Sequence, residues 1–174
     1  MTDAAAELFT RKSVALFTID YLPKIDRSVG PLSVSDVWWR PNEISNSIGN
    51  LILHLNGNVT QWVVGGVGEQ PYERARQQEF DERRPMPAPE LLAKLRRTVD
   101  EAVAIISRQT AASLAARRVI QGYDVTVLEA IYHVVEHFSM HTGQIIMLAK
   151  MRTGRDLNLW QPVENASAKD LETE

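Results

Sequence analysis

Cysteine is absent from all 174 positions, which excludes disulfides, thiolate metal ligands and a cysteine nucleophile. Any sulfur chemistry would have to arrive with a substrate. Long apolar runs are also missing: no stretch approaches the length of a membrane span, and the start, MTDAAAELFTRKSV, lacks the apolar core of a signal peptide. A cytoplasmic protein without membrane attachment is therefore expected, and the sequons at Asn58 and Asn165 have no secretory context. Charge of one sign is lacking too. The net charge is −3, and the arginines of residues 73–84 are interleaved with Glu73, Glu79, Asp81 and Glu82, so nothing marks a nucleic-acid surface. No run shows the sustained alternation of a β-strand.

What remains is an ordinary soluble composition, 44% hydrophobic and 24% charged, enough for one domain with a buried core over residues 1–174 and a frayed tail over 162–174. Four segments carry helical periodicity. The first, roughly Ala5 to Val29, repeats apolar residues from Leu8 to Leu22, with Pro23 expected to kink or shorten it. The second, roughly Ser47 to Val64, opens on a capping Ser/Asn cluster and ends near Gly65, Gly66 and Gly68, which read as a helix stop. The third starts near Pro89. The fourth opens with the capping-box pair Thr126 and Glu129 and runs to about Arg152, closed by Gly154. Four such helices make an all-α four-helix bundle. More than twenty residues separate the second and third helices, long enough to cross the bundle and let those two run parallel.

Histidine is scarce, and its placement is the most informative feature. His133, His137 and His141 recur at four-residue intervals in the fourth helix, and His54 lies in the second. Residues i and i+4 share a helix face with stems about 6 Å apart, so His137 and His141 form a two-toothed metal grip. A catalytic ion takes three protein ligands and keeps an open position, and His54 is the third. On the helical wheel His141 falls beside Val134 on the inward side, His137 on the shoulder and His133 toward the rim. That order makes His133 an outer partner of the ligands, a proton shuttle or a fourth contact, and it is also a candidate base. A solitary histidine on an amphipathic helix is usually just hydrogen-bonded. Three half-buried imidazoles are different: without a metal they leave donors and acceptors to satisfy and repel on protonation.

Spacing also sets what the site is not. The residue after His137 is Phe138, where a zincin helix carries its glutamate, and Glu136 points to the polar strip beside Tyr132, Ser139 and Lys150. The paired Glu-x-x-His signature of a di-iron bundle is missing, which favours a single ion. Trp38, Trp39 and Arg40 precede the second helix, where Trp39 and Arg40 are candidate substrate contacts or part of a hydrophobic plug. Gln144 could orient a ligand or bond a backbone carbonyl.

The segments NSIGNLILHLNGN, HVVEHFSMHTGQI and KMRTGRDLNLW, taken together, resemble the DinB-like (damage-inducible B, or YfiT-like) family of metal-dependent four-helix-bundle proteins, over about Leu8 to Trp160. The resemblance implies an up-down-down-up bundle with its long crossover between helices 2 and 3. It also implies one divalent ion, Zn, Ni, Fe or Mn, on His54, His137 and His141, and a homodimer. It further implies thiol-dependent S-transfer or detoxification chemistry on a small molecule, with a low-molecular-weight thiol as co-substrate. Hydrolysis of a small ester or amide, or a non-catalytic metal-binding role in stress response, are the alternatives.

Overall fold

Residues 2–159 are described by the computed structural model, and the frayed tail expected over 162–174 lies outside them. Helix α1 covers residues 3–29 and starts at Thr2, whose hydroxyl accepts from the Ala5 N–H. Pro23 does not shorten it. A prolyl ring collides with the carbonyl four residues back and brings no N–H. The stretch Leu16–Tyr21 just before it is wound as a wide π-helix, with the Leu22 N–H reaching the Phe17 carbonyl, so the ladder is opened where the ring needs room. After the single turn α2 (Val34–Val37), Ser47 and Asn50 close a capping box on α3, residues 48–67. The expected stop at Gly65 and Gly66 comes slightly later: the chain stays helical, as π turns, to Val67, and the Gly68 N–H closes on the Val63 carbonyl at 2.8 Å.

Residues 68–87 then cross the molecule, carrying the short helix α4 (Arg76–Asp81), before α5 (Ala88–Ile106) and α6 (Ala111–Ala115). Helix α7 (Val127–Thr153), the last among the described residues, has the Thr126–Glu129 capping box and ends at Gly154 in the left-handed region, φ 63°.

The sequence reading that found no strand needs correction. Residues Arg117–Ile120 (β1) and Tyr123–Thr126 (β2) pair antiparallel, Arg117 opposite Thr126 and Ile120 opposite Tyr123. Four-residue strands are too short for alternation to register. Their turn gives them away: Gln121 and Gly122 both have positive φ, 54° and 82°, the mirror-image turn that matches strand twist. Buried Ile120 seats the hairpin against α3 at Gly66, where any side chain would collide with it.

The molecule is mostly helical, and its core is supplied chiefly by α1, α3, α5 and α7, including Leu55, Val59, Leu95, Val99, Ile131, Val134, Phe138 and Ile145. Phe17 and Tyr21 of α1 meet the Phe138 ring of α7 at 5.2 and 5.8 Å between centroids. Between α3 and α5, Thr98 donates to Asn56 at 2.8 Å, and Gly68 lies against Ile105. Between α3 and α7, His54 lies opposite His137 and His141, and Trp62 opposite His133. Among the described residues no helix is long and apolar enough to cross a membrane.

Candidate metal centre

His54 sits at the edge of the apolar arc of α3, and periodicity alone would leave it half exposed. The crossing segment buries it. The Phe80 ring of α4 lies 4.6 Å from the imidazole, and the residue is 3% exposed. His137 and His141, one turn apart on α7, have ring centroids 4.4 Å from each other and 5.0 Å each from His54. One nitrogen of each of the three lies within 4.8 Å of the others, and the Nε2 atoms of His54 and His137 are 2.9 Å apart. Three imidazole nitrogens on one zinc at tetrahedral angles stand about 3.3 Å apart, so a cluster of this span could hold such an ion. The structure therefore joins the three residues named from sequence, contributed by two helices.

The outer nitrogens decide which lone pairs face inward. His54 Nδ1 lies 2.9 Å from Glu79 Oε2, and His141 Nδ1 lies 2.7 Å from Gln144 Oε1. Both partners are acceptors, so both Nδ1 atoms carry the proton and donate it, which leaves each Nε2 with its lone pair. The N–H between His54 and His137 then belongs to His137. Arg74 Nη2 also comes within 3.3 Å of His54 Nδ1, but its closer partner is Glu79 Oε2 at 2.9 Å, and an N–H cannot accept. Arg74 completes the arrangement through Nε to Glu79 Oε1 at 2.7 Å and Nη1 to Gln61 Oε1 at 2.6 Å, and the hairpin residue Gln121 donates to the same Gln61 oxygen.

Electrostatics hold His137, His141 and His133 toward the neutral form. Burial, reinforced by His141, His54, His133 and Arg74, pushes His137 down to about 3. Burial also holds His141 below its ordinary value, against the Gln144 hydrogen bond, and does the same to His133 against the pull of Glu136. For Glu79 burial alone would raise the carboxyl, but hydrogen bonds from Arg74 and His54 outweigh it and keep the group ionised below the usual range. With His137 and His141 held below their ordinary values beside an Arg–Glu pair of zero net charge, the site would leave the charge of a divalent cation largely uncompensated.

His133 stands outside the group of three. Its ring stacks on His137 at 5.5 Å and lies over Trp62 at 4.2 Å, within one layer of the cluster. Trp39 and Arg40 do not join the histidines. Trp39 lies under the Arg152 guanidinium at 5.7 Å, and Arg40 donates to Asn50 Oδ1 at 2.6 Å and to the Phe80 carbonyl. Trp38 is framework, its indole donating to the Met86 carbonyl at 2.9 Å. Glu136 is exposed, as its wheel position implied. A surface cavity of about 430 Å³ lies beside Gln144, lined also by Ile44, Leu51, Met147 and Met151.

Sequence reasoning missed Glu79, Arg74 and Phe80. It read residues 73–84 only as interleaved charge that marks no nucleic-acid surface, and no periodicity singles those three out. The available signal was indirect: a charged segment that must cross the bundle near a histidine helix has to rest its polar groups on something.

The chain matches, over residues 6–163, the family described as a protein of unknown function, DUF1572. No curated protein matches it.

Proposed function

This chain belongs to the DUF1572 family, and we propose that it is a single-metal enzyme of the DinB-like kind, an up-down-down-up four-helix bundle that works as a cytoplasmic homodimer on a small molecule. His54, His137 and His141 hold one divalent transition ion, of which Zn, Ni, Fe and Mn all accept imidazole nitrogen. The observation that carries this reading is the convergence of three imidazoles from two helices with two of their outer nitrogens tied to acceptors. Water-like or thiol co-substrates become acidic beside such an ion, which is the chemistry the ion supplies.

The chain's own residues do the rest. Burial keeps His133 unprotonated at neutral pH, one ring-stack away from His137, so it can take a proton. In the thiol-dependent reaction the co-substrate S–H gives its proton to His133 and the sulfur bonds to the electrophilic carbon. The leaving group departs with the electron pair of the broken bond. Trp62 and Phe80 shield the site's flanks from solvent.

Elemental analysis of untagged protein tests the ligand set: about one equivalent of transition metal is expected in the wild type and loss of it in His137→Ala. Equal metal content in both would remove the assignment. The chemistry is read separately, by consumption of monochlorobimane with metal and thiol each supplied alone and together. Turnover that needs both supports the transferase; turnover of an activated ester with metal alone would replace it with a hydrolase. Silence in both assays would leave a metal-binding protein without turnover.

A further inference from the structure

We propose that Glu79 is the positioning residue of the site: its carboxylate, fixed by Arg74, holds the His54 proton on Nδ1 and so directs the Nε2 lone pair at His137 and His141. This inference rests on the metal reading above but concerns residues outside the ligand set. An imidazole binds a cation through one nitrogen only when the proton sits on the other, and a carboxylate behind the ring is the usual means of fixing that choice. Both partners are withdrawn from water, with the Arg74 side chain 4% and the Glu79 side chain 12% exposed. Every donor on Arg74 that faces Glu79 is used, Nε on Oε1 and Nη2 on Oε2, while Nη1 is held by Gln61. The carboxylate therefore cannot rotate away, and Oε2 is shared between Arg74 and His54.

A merely structural role, in which Glu79 fixes Arg74 for its bond to Gln61 of α3, would need the Arg74–Glu79 pair but not the contact to His54. The two roles separate in Glu79→Gln. A glutamine offers one oxygen and one NH₂ where the carboxylate offered two acceptors, so either orientation sets an amide N–H against an N–H of Arg74, and the single His54 tautomer is lost. Nitrogen-15 NMR of the metal-free protein reads the tautomer directly, with four histidines to assign. Titration with Co²⁺ against a chelating dye reads the affinity.

The expected result is an Nδ1–H tautomer for His54 in the wild type, a mixture in Glu79→Gln, and Co²⁺ binding weakened about 10- to 100-fold in that variant. Glu79→Asp, which restores a carboxylate, should recover most of the affinity. Finding His54 protonated on Nε2 in the metal-free wild type would overturn the proposal, and that measurement needs no variant to fold. So would a Glu79→Gln protein that keeps the wild-type tautomer and binds Co²⁺ within about threefold of wild type, below the bottom of the expected 10- to 100-fold range. Failure of the metal reading looks different: wild type that does not bind Co²⁺, or His137→Ala that binds equally well.

Discussion

A histidine pushed down to about 3 makes its own pH signature. Below the ordinary value of 6.5, the unfolded chain takes up a proton at His137 that the folded chain refuses, so folding releases protons and stability falls as pH drops from about 6.5 toward 3. The metal-free protein should accordingly melt at a constant temperature above about pH 7 and lose stability steadily below 6.5. His137→Gln, which removes the titrating group, should flatten part of that slope in melts followed by circular dichroism. Identical slopes in the two proteins would contradict the burial and charge argument made for this residue. Glu79 acts in a lower window: its depressed carboxyl contributes stability that is lost only as pH falls through its folded value.

At the scale of elements, one side chain fastens two pieces of structure. Asn50 closes the capping box of α3 with Ser47, and its amide also donates to the carbonyls of Glu79, Phe80 and Glu82, at 2.8, 3.3 and 3.2 Å. Arg40 then bonds the Asn50 oxygen. The N-terminus of α3 and the segment carrying Glu79 are thus held by the same fully buried residue. Asn50→Ala should cost about 1–3 kcal/mol in urea unfolding, from an exposed helix end and unpaired buried carbonyls. It should also weaken metal binding without touching a ligand. A variant that loses stability but binds metal as the wild type does would show that α4 keeps its place over His54 without this tie.

For the whole molecule, the cluster spans two helices whose ligands are 83 residues apart in sequence, His54 to His137. An ion that binds there binds the folded chain and not the unfolded one, so it should stabilise the protein by about 2.7 kcal/mol when supplied at a hundred times its dissociation constant. Thermal melts with added Zn²⁺ and with a chelator should differ by several degrees in the wild type and coincide in His137→Ala. A chelator-independent melting temperature in the wild type would argue against an ion held by α3 and α7 together.

What could be read without coordinates is what short-range physics controls. The ends of α3 and α7 follow from hydrogen bonds across three residues, Ser47 to Asn50 and Thr126 to Glu129, and the facing of His137 and His141 follows from helical pitch. The mostly helical character was legible too, because four long segments carry the helical period. The hairpin escaped because four-residue strands carry too little pattern, and the π turns before Pro23 because strain relief leaves no composition signal. Tertiary structure alone decided that His54 is buried and that Glu79 and Arg74 stand behind it. Those contacts join residues 25 and 20 positions apart across a segment with no periodic face, and only the docking of that segment on α3 brings a carboxylate to the outer nitrogen of His54.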